Sequence, residues 1–158
     1  MKKTAIYLVL ILSILTGCKK YDEGPAISLR SKEARLCREW KLERATMNNE
    51  EMESATNDAG IIEYKKDGSV IITFNDANLG ELIYHAQWQF VEDKEYLEVS
   101  EMEYNDKVTK EHLPFIFKNA LNDTWTRYKI IRLTAKEHIL KHVDESGIYE
   151  FRFEYKAL

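Results

Sequence analysis

The sequence predicts an all-β domain, an antiparallel up-and-down barrel of about eight strands, preceded by a flexible tether and a short N-terminal helix. Three observations carry the prediction. Leu82, Tyr84, Ala86, Trp88 and Phe90 alternate with Ile83, His85, Gln87, Gln89 and Val91, the period-two pattern of a half-buried strand. Near the C-terminus Tyr149, Phe151, Phe153 and Tyr155 alternate with Glu150, Arg152, Glu154 and Lys156 in the same way. Between and around these runs lie further strand-sized apolar segments with hairpin-length joints. So many sequential strands, each with one apolar face, cannot stay an open sheet with free edges, and the stable solution is to curl and close.

The chain opens with Lys2 and Lys3, an apolar run from Ala5 that ends at Leu15, and Thr16-Gly17-Cys18. This is the order of an export signal, and the run is short of the roughly 20 residues that span a bilayer. Residues 1–17 are therefore expected to be a removable signal peptide. Leu15-Thr16-Gly17-Cys18 resembles the lipobox of bacterial lipoproteins, which implies cleavage before Cys18, lipidation of its thiol with diacylglycerol, and a further amide-linked chain such as palmitate. A single acyl chain holds only reversibly, so several would anchor the protein without any membrane-spanning segment.

Residues 18–28, with Lys19, Lys20, Asp22, Glu23, Gly24 and Pro25, have little hydrophobic periodicity and read as a tether. Residues 29–158 form the barrel domain. Ser31 is placed to cap a short helix running to Arg38, after which Trp40 to Leu42 begins the first strand. Ile62 to Tyr64 and Val70 to Phe74 follow, joined through Asp67-Gly68 as a type I′ turn. Glu92-Asp93-Lys94 turns the long central strand into Tyr96 to Val99. The stretch to Asn122, with Pro114 and the short apolar piece Leu113 to Phe117, is expected to hold one strand and a long loop. Tyr128 to Leu133, His138 to Val143 and Ile148 to Tyr155 complete the set.

Loss of residues 1–17 takes 23 basic and 27 acidic side chains to 21 and 27, a net charge of −6, which argues against a nucleic-acid partner. With Cys18 acylated only Cys37 keeps a thiol, so no intramolecular disulfide is available and stability has to come from the core. Cys37 itself reads as a small apolar residue of a packed segment.

Ala34 to Leu42, with Trp40 at the start of the first strand and Arg38 two residues before it, resembles the lipocalin-like domain lipoproteins of the Bacteroidota type, which carry Gly-x-Trp there. Trp88-Gln89-Phe90-Val91-Glu92-Asp93 is similar to their Trp-x-Phe strand with its acidic turn. Tyr128 to Thr134 with Lys136-Glu137 is similar to their penultimate hairpin. Cys18 to Pro25, followed by Leu29-Arg30-Ser31, is similar to their mature start. The resemblance implies a lipocalin-like barrel and a cell-envelope address, and it implies no particular activity.

Signals for enzymatic chemistry are sparse. There is no nucleophile elbow and no phosphate-binding glycine loop, and the acidic residues are scattered over strands and turns, so no catalytic residue, cofactor or enzyme activity is expected. His138 and His142 have a spacing that would suit a metal on a helix; in a strand they stand about 13 Å apart, and no metal site is expected. His85 and His112 are isolated. Asn122-Asp123-Thr124 fits a glycosylation acceptor and is read as a turn.

The candidate binding site is the barrel interior, lined by Tyr84, Ala86, Trp88, Phe90, Tyr149, Phe151, Phe153 and Tyr155. Eight-stranded barrels are just wide enough to be filled by side chains or to hold one small ligand. The expected protein is thus an envelope lipoprotein binding a small apolar ligand or an envelope component. The alternative is a closed-core interaction subunit of a surface complex. Its expected location is the outer membrane, on the periplasmic face or at the cell surface, since Lys19 and not an aspartate follows Cys18.

Overall fold

The computed structural model describes residues 30–52, 60–76, 79–100 and 125–155. The signal peptide, Cys18 and the tether, the strand and long loop expected in the stretch to Asn122, His112 and Asn122-Asp123-Thr124 all lie outside the described residues. A short helix α1 (Lys32–Leu36) is followed by nine strands: β1 (Glu39–Met47), β2 (Glu50–Glu51), β3 (Ile61–Tyr64), β4 (Ser69–Asp76) and β5 (Gly80–Val91), then β6 (Tyr96–Val99), β7 (Thr126–Leu133), β8 (Glu137–Asp144) and β9 (Gly147–Tyr155). Each strand pairs antiparallel with its neighbour, and β1 closes on β9 along the run from Trp40↔Tyr155 to Met47↔Tyr149. Eight strands make the closed barrel, and β2 is a two-residue addition to the far end of β1.

Ser31 caps α1 as expected, its hydroxyl accepting from the Ala34 amide at 3.1 Å. Arg38, standing where the lipoproteins carry glycine, lies outside the helix and is put to use. Its guanidinium donates to the Ala135 carbonyl at 2.7 Å and stacks on Tyr155 at 4.6 Å, tying the chain after α1 to the β7–β8 turn. Trp40 fixes the other side of the helix by donating its indole N–H to the Leu36 carbonyl at 2.8 Å. Cys37 is half-buried against the core, and burial, with Glu33 adding to it, raises its thiol pKa.

The joint at Lys65 to Gly68 is not the type I′ turn the Asp-Gly pair suggests. Gly68 alone takes a positive φ, the Gly68 amide donates to the Lys65 carbonyl, and the Lys65 amide to the Ser69 carbonyl. That is a three-residue loop with glycine in the left-handed position. Asp67 Oδ1 holds it by accepting from the Ser69 amide at 2.9 Å and the Ser69 hydroxyl at 2.6 Å. The two positive φ values of a type I′ turn occur at Asn48-Asn49, between β1 and β2. Asn48 also accepts from the Ile148 amide, so this turn is fastened to β9.

Glu92, Asp93 and Lys94 all have positive φ, a costly run for residues with side chains. Glu92 pairs with Arg127, and the Lys94 ammonium sits 5.8 Å from the Phe90 ring, so both ends of the turn are held by charges.

The inward faces alternate as the pattern demands. β5 buries Leu82, Tyr84, Ala86 and Trp88 and exposes Glu81, Ile83, His85, Gln87 and Gln89. β1 is interrupted by a bulge between Leu42 and Arg44, after which Ala45 returns to the interior. A second bulge between Ile130 and Arg132 does the same on β7.

Candidate functional site

Six of the eight residues expected to line the interior are buried there: Tyr84, Ala86, Trp88, Tyr149, Phe151 and Phe153. Phe90 is half-buried at the α1 end, edge-on to Trp88 at 5.3 Å. Tyr155 is a correction, because it is 40% exposed. Its alternation with Phe153 is intact, but β9 ends there, and the ring lies at the rim of the barrel, edge-on to Trp40 and covered by Arg38.

The interior also contains residues that the expected set omits. Trp40, Tyr64, Phe74, Tyr128 and His138 are all buried. Phe74 stacks on Tyr84 at 5.3 Å, and Tyr128 meets Phe151 edge-on at 6.3 Å. Tyr64 stands at 90° to Trp88, whose indole N–H donates to the Lys65 carbonyl at 2.8 Å. The same alternation in β3, β4 and β7 would have found Tyr64, Phe74 and Tyr128.

His138 is the chemically distinct member. It is fully buried among Trp40 (5.5 Å), Phe153 (5.6 Å) and Tyr64 (6.2 Å), and neither ring nitrogen has a hydrogen-bond partner among the described residues. Burial pushes its pKa down to about 3, so the ring is neutral at pH 7. Burial likewise raises the pKa of the Tyr64 and Tyr128 hydroxyls, keeping both protonated. The lining is therefore aromatic with a few neutral polar atoms, the usual composition of a small-molecule site. His142 lies further along β8, its Nδ1 2.8 Å from the Arg127 carbonyl and its ring against Tyr128 and Tyr149. No group of three potential metal ligands converges among the described residues.

The two ends of the barrel differ. At one end the joints Lys65 to Gly68, Glu92 to Glu95 and Thr134 to Lys136 are tight, and α1 packs there with Leu36 and Trp40 fully buried. At the opposite end β6 ends and β3 and β7 begin.

On the outer wall, a groove of about 450 Å³ is lined by Tyr96, Arg127, Lys129, Ile131, Lys141, His142 and Val143 on β6, β7 and β8. A neighbouring hollow of about 530 Å³ is bounded by Trp125, Arg127, His142 and the β8–β9 turn. Arg127 is held in the wall by Glu92 and Glu98 and lies 5.5 Å over the Tyr96 ring.

The fold is that of a lipocalin-like protein from Bacteroides uniformis, with a TM-score of 0.53 over 77% of this chain and 99% of that one, at 11% sequence identity. A redesigned β-barrel aligns with a TM-score of 0.47 at 7% identity, over 84% of this chain and all of that one. No sequence-family model matches the chain, and no curated protein sequence does. The protein thus has a lipocalin-like fold, a closed antiparallel eight-stranded barrel with a short helix on its N-terminal side.

Proposed function

We propose that the chain is a cell-envelope lipoprotein, acylated at Cys18 and held off the outer membrane by residues 19–28, whose barrel binds a small apolar molecule. The observation that carries the binding reading is the asymmetry of the barrel. The α1 end is covered by Leu36 and Trp40, while Phe74, Tyr84 and Phe151 carry the aromatic interior toward the opposite end, where β6 ends and β3 and β7 begin, and barrel mouths are where ligand sites concentrate. The molecule would lie against Phe74, Tyr84 and Phe151.

A fluorescent fatty acid titrated into the purified chain is expected to bind saturably at micromolar concentration. Ala86→Phe, which fills space beside Tyr84, should weaken that binding at least tenfold in a protein still folded by circular dichroism. Glu81→Gln on the outer face should leave it unchanged. Close packing of Trp40, Tyr84, Tyr128, Phe151 and Phe153, each under 2% exposed, favours the second reading, an interaction subunit with a filled core. Absence of saturable binding by the folded chain would move the conclusion to that reading.

The anchor has its own test. Cys18→Ser should accumulate as uncleaved precursor and take up no labelled palmitate, because transfer of the lipid needs the thiol. Normal processing and labelling of that variant would refute lipidation at this residue.

A further inference from the structure

His138 points into the barrel and has no hydrogen-bond partner there among the described residues. It pairs with Phe153, and Phe153 with Leu42, both inward residues, so the imidazole stands on the interior face at the end that α1 covers. At the same end the indoles of Trp40 and Trp88 each donate to a backbone carbonyl, those of Leu36 and Lys65. A phenylalanine in place of His138 would fill the same position among Trp40, Tyr64 and Phe153, and would leave no buried nitrogen unsatisfied. A buried polar group left unbonded calls for an explanation, and a bound molecule supplies one.

The side chains around the ring suit an alkyl chain with a small polar end. Tyr64, whose ring lies 6.2 Å from His138, belongs to an inward row with Val70 and Ala86, two of the shorter side chains of the core. Tyr84 and then Phe74 lie nearer the mouth on the same two strands as that pair. A chain that begins at His138 would therefore pass Val70 and Ala86 on its way to Tyr84 and Phe74. An uncharged end fits best, because burial keeps both the imidazole and the Tyr64 hydroxyl neutral, and a buried charge without a counter-charge is costly. With neither ring nitrogen bonded, neither tautomer is fixed, and a hydroxyl, which both donates and accepts, serves either one.

We propose that His138 is the hydrogen-bonding anchor at the floor of the interior site, and that the ligand is an apolar molecule ending in a hydroxyl group, whose oxygen bonds the imidazole while its alkyl chain runs past Val70 and Ala86. This rests on the reading of the barrel as a small-molecule binder, and it names the class of molecule. His138 thus weakens the empty barrel and strengthens the occupied one. The test compares 1-octanol with 1-chlorooctane, which keeps the chain and removes the hydroxyl. Each is titrated by calorimetry into the full chain and into His138→Phe, and the imidazole nitrogens of His138 are followed by 15N resonance in the unsubstituted protein.

The expected result is saturable binding of 1-octanol about tenfold tighter than that of 1-chlorooctane, a preference lost in His138→Phe while the affinity for 1-chlorooctane stays within about twofold. A ring nitrogen of His138 should shift on adding 1-octanol and stay in place on adding 1-chlorooctane. Equal affinities for the two probes, both weakened by Ala86→Phe, would overturn the anchor and leave the interior site standing. Unmoved His138 nitrogens in the octanol complex would overturn it as well, and would assign the ring to an internal water. Binding of neither probe, nor of the fluorescent fatty acid, would remove the interior site and the anchor together.

Discussion

Acidification from pH 7 to pH 5 should remove about 2 kcal/mol of stability through His138 alone. Burial holds its folded pKa at about 3, against an ordinary value of 6.5. Between those limits the unfolded chain binds a proton that the folded chain refuses, so stability is complete above about pH 6.5 and falls with pH at about 1.4 kcal/mol per unit. By pH 3 the loss reaches about 4 kcal/mol, approaching the whole stability of many domains. The check is urea unfolding at pH 7, 6 and 5. The His138→Phe variant should lose far less over this range. It should also be more stable at pH 7 by about 1–3 kcal/mol, because it removes two buried nitrogens that have no hydrogen-bond partner among the described residues and keeps a ring among Trp40, Tyr64 and Phe153. Asp67, whose pKa is lowered by the Ser69 hydrogen bonds, titrates only below its usual 3.8 and so does not obscure the comparison at pH 5. An equal loss in both proteins would show that His138 is not the group responsible.

Gly60→Ala should be the most destabilising single-methyl addition in the barrel. A Cβ there would fall 1.7 Å from the Thr73 carbonyl oxygen and 2.6 Å from the Phe74 Cβ, so the backbone of β3 or β4 must move. A loss of about 3 kcal/mol or more is expected, at the upper end for overpacking. Gly80→Ala separates close approach from backbone strain. A Cβ at Gly80 meets nothing within 4 Å, but its φ of +78° is left-handed, so only about 1 kcal/mol should be lost. The same urea curves measure both. Equal effects of the two substitutions would mean that the contact with Thr73 relaxes freely.

The contrast between those glycines shows what a sequence can and cannot convey. Gly80 opens a strand beside a turn, where a local rule applies. The need for glycine at 60 arises from Thr73, which reaches it only because β4 folds back along β3. Local alternation was enough to orient β5 and β9, and to place Tyr84, Trp88, Phe151 and Phe153 inside. On β1 it reached only to Leu42, where a bulge breaks the period, and it failed at Tyr155, where the pattern runs past the covered end of the barrel. The type I′ turn was expected at Asp67-Gly68 and occurs at Asn48-Asn49, because loop length, set by strand pairing, decides the turn type. The outer groove was invisible for a similar reason. Lys129 and Lys141 face each other only through the register of β7 and β8.

The seam between β1 and β9 has a consequence in time. It joins Trp40 to Tyr155 and Met47 to Tyr149, partners separated by most of the chain. Contacts so distant in sequence must bear the entropy of closing a very long loop before they return any energy, which places such topologies in the millisecond-to-second range of folding rates. Until β9 arrives, the edge of β1 that it will cover stays unpaired and able to capture another chain, the hazard of every exposed strand edge. Dilute refolding should therefore proceed cleanly, while concentrated refolding should divert chains into aggregates.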